Sequence, residues 1–127
     1  MLYKIGEFAT IVDTPIKTLR YYDEINLFKP IQIDLFTNYR YYKLEQIEDF
    51  KLIKQLQKLG FSLTEIKANW NNFTEEVMIK KREELINQSN ALQDNIKELD
   101  YLKSKIINGK INSRIKEQKE RVKSIFN

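Results

Sequence analysis

The chain has 127 residues, 42% hydrophobic and 31% charged, with three glycines, two prolines and neither cysteine nor histidine. That length can bury one core, or a small domain with a long helical extension, and the missing residue types exclude disulfides, iron–sulfur clusters, Cys/His metal sites and thiolate or imidazole catalysis. The net charge is +4, but residues 1–109 hold sixteen Lys/Arg against sixteen Asp/Glu while residues 110–127 hold six against two, so bulk charge argues for a polyanionic partner only in the tail.

The opening MLYKIGEF lacks the apolar core and cleavage site of a signal peptide, and no run of about eighteen apolar residues follows, so a cytoplasmic chain with no membrane association is expected. Ile5, Phe8 and Ala9, then Ile16, Leu19 and Tyr22, fall at helical spacings on two short segments separated by Val12, Asp13 and Thr14. This predicts helix, turn, helix. Asp13 takes the sharp turn, where a left-handed backbone is needed. Thr14 is expected to cap the second helix, with Pro15 as its first residue. Beyond Pro30, Ile31–Ile33 alternate, a polar stretch ends in Thr37 and Asn38, and Tyr39-Arg40-Tyr41-Tyr42 is rich in strand-forming aromatics. The expectation is a short hairpin leaning on the helices, a winged helix-turn-helix.

Ile47, Phe50, Leu52, Ile53, Leu56 and Leu59 suit one helix that stops at Gly60, and Ser62 to Glu65 has the spacing of a capping box opening a shorter one. From Thr74 to about Asn108 the period changes. Met78, Leu85, Leu92, Leu99 and Ile106 recur every seven residues, with Ile96 and Leu102 widening the stripe. One helix of that length reaches roughly 50 Å, more than the preceding domain can cover. The stripe therefore calls for a partner, either its own domain with the helix folded back or a second copy, and the polar positions Lys81, Gln88 and Asn95 favour a short or antiparallel pairing with a second copy over a parallel zipper. The fold class expected is all-α with a small β-hairpin wing and a long coiled-coil helix: residues 1–73 bind, 74–108 dimerise, and 109–127 form a basic tail or the start of a further domain.

With Ile16, Leu19 and Tyr22 turned inward, Lys17, Thr18 and Tyr21 share the outward face of the second helix, with Arg20 at its edge. These are good partners for phosphates and base edges. Asp23 and Glu24 follow at the end of the helix, beyond a duplex entered by its N-terminal part.

The segments IGEFATIVDTPIKTLRYYDEINLFKP, TNYRYY and LIKQLQKLGFSLTEIK, followed by a long helix, resemble the MerR family of bacterial transcription regulators, in particular its multidrug-responsive branch. The resemblance covers residues 3 to about 68 closely. It implies a winged helix-turn-helix homodimer on an inverted-repeat promoter operator, joined by an antiparallel coiled coil, which bends and untwists DNA and so acts on RNA polymerase indirectly. Carried over by position, it puts Lys17, Thr18, Arg20 and Tyr21 on DNA from the helix and Tyr39 and Arg40 on backbone from the wing. Tyr22 is then a packing residue. Lys58 and the amide of Ser62 become candidate phosphate contacts of a second wing. Asn38 stands where the family often has glycine, and Thr14-Pro15 where Val-Ser is more usual. Metal and redox sensing in the family use cysteines that this chain lacks. RIKEQKERVKSIFN resembles the opening strand of the effector domain of multidrug-responsive members, or else is a solvated basic tail; a small-molecule effector is implied only if a further domain exists. No cofactor is implied.

Two other functions fit parts of the pattern. An excisionase-like architectural factor shares the winged fold, but the long helix disfavours it. A coiled-coil interaction module with no DNA role is the other, and a gel shift on the upstream region of its own gene decides it. An enzyme is disfavoured, for no phosphate-cradling loop or paired carboxylates accompany the missing histidine and cysteine.

Overall fold

The computed structural model describes residues 1–126, and within the last helix the side chains of 114–123 and 125. It contains β1 (Leu2–Lys4), α1 (Ile5–Ile11), α2 (Ile16–Glu24), β2 (Gln32–Ile33), β3 (Arg40–Lys43), α3 (Gln46–Lys58), α4 (Leu63–Asn69), α5 (Glu75–Ile107) and α6 (Lys110–Phe126). Two compact units emerge, Met1–Met78 and Ile79–Asn127.

In the first unit the helices and a small antiparallel sheet enclose one core. The expected hairpin forms from β2 and β3, with Ile33 opposite Arg40. The sheet nevertheless has three strands, in the order β1-β3-β2, because the N-terminal residues pair with the other edge of β3 and set Tyr3 opposite Tyr42. A two-stranded ribbon is marginal in water, and the third strand sets β3 in the middle, where Tyr42 is fully buried. Tyr42 stacks on Phe8 with ring centroids 4.5 Å apart, and Phe28 packs against Phe50 edge-on at 5.2 Å. Leu19, Ile53 and Ile66 complete the fully buried set. On α3 the spacing Phe50, Ile53, Leu56 faces inward, whereas Leu52 and Leu59, expected on the same stripe, face water.

Three helices end in the same way. After α1, α2 and α3 the chain turns left-handed at Asp13 (φ 50°), Asn26 (φ 59°) and Gly60 (φ 95°). In each case the next amide reaches back to a carbonyl five residues earlier: Thr14 to Ala9 (2.9 Å), Leu27 to Tyr22 (2.9 Å) and Phe61 to Leu56 (3.1 Å). These are Schellman motifs, and Asp, Asn and Gly are the residues that enter the left-handed region at least cost. Lysines reinforce two of them. Lys54 Nζ donates to the carbonyls of Val12 (3.1 Å) and Asp13 (3.2 Å), and Lys67 Nζ donates to that of Ile25 (2.9 Å). The capping box at α4 is also present, with Ser62 Oγ accepting from the Glu65 amide and the Glu65 carboxylate accepting from the Ser62 amide.

The cap expected from Thr14 does not form. Its hydroxyl donates to the Val12 carbonyl at 3.0 Å, and Pro15, extended at ψ 143°, is the N-cap rather than the first helical residue. A threonine hydroxyl can bond its own turn as readily as the helix ahead, and here the turn wins.

In the second unit most of α5, 33 residues and roughly 50 Å long, exposes apolar side chains; no residue of the helix is buried. Over Arg114–Asn127, where an opening strand or a solvated basic tail is expected, the chain is a helix as far as the described residues run. Ile115, Val122 and Ile125 are separated by seven and three positions, a helical repeat, and residues 110–127 contain no glycine or proline to interrupt it.

Candidate nucleic-acid interface

The fold divides the adjacent tyrosines of α2 between two environments. Tyr22 is buried and its hydroxyl donates to Gln57 Oε1 at 3.0 Å, while Tyr21 remains half exposed. Successive helical residues point about 100° apart, so a core position and a solvent-facing position are forced neighbours here. Lys17 and Arg20 are exposed beside Tyr21, and Thr18 is half-buried. Ile16, expected to face inward, is instead partly open at the end of the helix, because α2 begins at its edge of the core.

Two adjoining clefts lie along this face. Ile16, Lys17, Arg20, Tyr21 and Glu24 line one of about 540 Å³. The other, about 390 Å³, is bounded by Lys4, Gly6, Glu7, Arg20, Tyr39 and Arg40 with their neighbours. Arg20 borders both, so helix and wing present one continuous surface. Asn38 (φ 59°) makes the left-handed turn that a glycine would make, which delivers Tyr39 and Arg40 to the cleft. Tyr39 is exposed and lies under the Lys4 ammonium, 5.2 Å from ring centroid to nitrogen.

Asp23, at the end of α2, is not solvated. It is buried at 9% exposure, with Oδ2 accepting from Arg40 Nε at 3.0 Å and Oδ1 accepting from Lys29 Nζ at 3.1 Å. Burial alone pushes its pKa up, but the hydrogen bonds from Arg40 and Lys29, with their charges, outweigh it and hold the carboxyl below its ordinary value. The ionised Asp23 therefore clamps the wing arginine to α2. Arg40 keeps its terminal guanidinium nitrogens for a further acceptor, and its side chain is 30% exposed.

Lys58 and Ser62 lie elsewhere, at the end of α3 and the start of α4. Lys58 is exposed. The Ser62 amide, expected as a phosphate donor, is already bonded to the Glu65 carboxylate at 3.0 Å, so the capping box uses the group that the second-wing expectation needed. Two contributors escaped the sequence reading. Lys4 reaches the cleft only because β1 pairs with β3, and Asp23 acts through a partner seventeen positions away. Among the described residues no His/Cys/Asp/Glu cluster could hold a metal ion, and no helix is long and apolar enough to cross a membrane.

Residues 3–71, just over half of the chain, match the MerR HTH family regulatory protein. The multidrug-efflux transporter 1 regulator of Bacillus subtilis is 48% identical over 65 residues, which cover 51% of this chain and 23% of that protein. The transporter 2 regulator of the same organism is 41% identical over 66 residues, 52% of this chain and 24% of that one. The chain thus spans about a quarter of the length of these relatives. Among solved structures, EcmrR in its DNA complex in EcmrR-RPo superposes with a TM-score of 0.72 at 31% identity, covering 78% of this chain and 37% of that one. MtaN, the N-terminus of the Bacillus subtilis multidrug transporter activator, gives 0.69 at 28% identity, covering 77% and 94%. With its winged helix-turn-helix, long helix and match over residues 3–71, the chain belongs to the MerR HTH family of regulatory proteins.

Proposed function

We propose that this chain is a transcription regulator that binds an inverted-repeat promoter operator as a homodimer and acts by bending and untwisting it. The observation that carries the reading is the continuous surface shared through Arg20, with Lys17 and Tyr21 on the helix side and Tyr39 and Arg40 on the wing side; Thr18, half-buried, follows Lys17 on the same helix. The helix side chains read or orient in the major groove, and Arg20, Tyr39 and Arg40 grip phosphates. Residues 1–73 are the binding part and 74–108 the dimerisation helix, which pairs through Met78, Leu85, Leu92, Ile96, Leu99, Leu102 and Ile106; these are 39–65% exposed in a single copy. Dimer symmetry matches the inverted repeat. RNA polymerase responds through the deformed DNA rather than through a catalytic step, and the place of action is the cytoplasm. Two relatives are named regulators of multidrug-efflux transporters, which supports the same class of activity here.

The test is selection of a duplex from a random pool by the purified protein, followed by gel shift and circular permutation of the selected site. The expected result is a palindromic site bound by two protomers with position-dependent mobility. Recovery of no preferred site, or of a site that stays straight when occupied, would remove the proposal. Protection of a recombination attachment site rather than a promoter would favour the architectural alternative.

A further inference from the structure

The most open apolar side chains of the first unit, apart from the N-terminal Met1, are at the wing tip: Leu35 is 91% and Phe36 99% exposed. Neither contributes to the core. The loop that carries them is nonetheless closed by its own hydrogen bonds. Asp34 Oδ1 accepts from the amides of Phe36 (2.8 Å) and Thr37 (3.1 Å), and Thr37 Oγ1 accepts from the Tyr39 amide (3.2 Å). The Asp34 amide donates to the Tyr39 carbonyl (2.9 Å), and the Asn38 amide to the Asp34 carbonyl (2.8 Å). A defined turn thus holds two large apolar groups out in water.

We propose that Leu35 and Phe36 form an apolar wedge that enters the minor groove of the duplex. This rests on the DNA-binding reading above and deepens it. The Asp34–Tyr39 bond fixes the base of the loop directly beside Tyr39, which lines the cleft bounded by Lys4, Arg20 and Arg40. Those cations suit a polyanion rather than an apolar protein surface. If the cleft holds phosphates, the tip lies past that backbone, and the space beyond a phosphate strand on this side is a groove about 6 Å wide. The acid of the tip does not oppose this placement, since Asp34 Oδ1 is turned onto the loop's own amides. Leu and Phe offer no donor or acceptor, so the contact senses how easily a base step unstacks rather than which base is present. Apolar wedges of this kind kink DNA at flexible pyrimidine–purine steps.

The experiment uses the full chain and the duplex it selects from a random pool, carrying 2-aminopurine at successive positions of each flank. Wild type, Phe36→Ala, Phe36→Trp and Arg40→Ala are compared, with thermal melts to verify that the Phe36 variants remain folded, as their exposure predicts. Wild type is expected to brighten the probe at one step per flank. Phe36→Ala should lose that signal and bind about tenfold more weakly, since base–aromatic contacts are of that order, while Phe36→Trp keeps both. Arg40→Ala should weaken binding without abolishing the step-specific signal at saturation. Unchanged affinity and fluorescence in Phe36→Ala would overturn the wedge, as would a defect confined to a protein partner. If wild type selects no duplex, the DNA-binding reading itself fails and the wedge with it; if it selects one but the Phe36 variants match it, only the wedge fails.

Discussion

Arg40 Nε donates to Asp23 Oδ2 at 3.0 Å across seventeen positions of sequence, and this single bond ties the wing to the end of the outward-facing helix. Asp23 is only 11% exposed in its side chain, whereas Arg40 and Lys29 retain 30% and 55%. Replacing Asp23 by Ala leaves two cations that can partly rehydrate. The expected cost is therefore about 1–3 kcal/mol, below that of a fully buried pair. The Asp23 pKa is depressed from its ordinary 3.8, so the stabilisation is complete above that value and is lost as pH falls through the lower folded value. Urea unfolding should accordingly show wild type and Asp23→Ala separated at neutral pH and converging in acid. A gap that persists at low pH would mean that the carboxylate's charge is not what holds the wing.

The same clamp shapes the expected behaviour of the DNA-facing variants. With Arg40 on a phosphate as proposed, Arg40→Ala should weaken binding alike for preferred and random sequences and lower the salt slope by about 1. Lys17→Ala or Thr18→Ala should cost about 1–3 kcal/mol on the preferred site and less on random duplex, blurring the sequence preference. Titrations at two salt concentrations against both duplexes separate the cases. Equal losses on both from the helix variants would assign Lys17 and Thr18 to backbone positioning alone.

What the sequence made legible was local. Asp13, Asn38 and Gly60 are each at a turn that needs positive φ, and each is a residue type that tolerates it. Tyr21 and Tyr22 separate by helix geometry, and the capping box spans only Ser62 to Glu65. The misses are nonlocal or depend on competition between near-equal local bonds. β1 has three residues and exists because β3 is beside it. Asp23 looks like a solvated acid until Arg40 is brought to it from the wing. Thr14 had two short-range partners to choose from and bonded Val12. Leu52 and Leu59 illustrate the limit of apolar spacing: Phe50, Ile53 and Leu56 already fill the inward stripe of α3.

Tyr42 supplies a prediction independent of function. Its ring is fully buried and well stacked, but its hydroxyl has no hydrogen-bond partner. Tyr42→Phe keeps the ring and removes the unsatisfied group, so the variant should be more stable by about 1 kcal/mol. Burial, with the charge of Asp23 and against that of Arg40, pushes the Tyr42 pKa from 10.0 up to about 12. A raised acid pKa contributes stability that is full below 10 and is lost as pH rises through 12, because the unfolded chain ionises first. The advantage of the phenylalanine variant should therefore widen across that window in thermal melts. A destabilised variant would show that the hydroxyl is satisfied in solution.

The stripe on α5 predicts that a monomer does not persist. Met78, Leu85, Leu92, Leu99 and Ile106 recur at seven-residue intervals along 33 helical residues, and each is at least 41% exposed in a single copy. Leaving such a row in water is unfavourable by about 25 cal/mol for each Å² that pairing would cover. Leu92, near the middle, should be enclosed from both sides in an antiparallel pair, whereas a residue near either end should be only partly covered. Leu92→Asp would bury an unpaired carboxylate, and self-association should weaken by at least about a hundredfold. Ile107→Asp, at the open end of the helix and 75% exposed, should disturb it far less. Sedimentation equilibrium over a range of concentrations distinguishes the two substitutions. Because the first unit has its own core, Leu92→Asp should leave the wing and α2 folded, with Tyr22 still protected. The loss of operator affinity should then exceed anything that Lys17→Ala or Arg40→Ala produces, since each half-site would be gripped alone. A Leu92→Asp protein that remains dimeric at micromolar concentration would place the pairing surface somewhere other than this stripe.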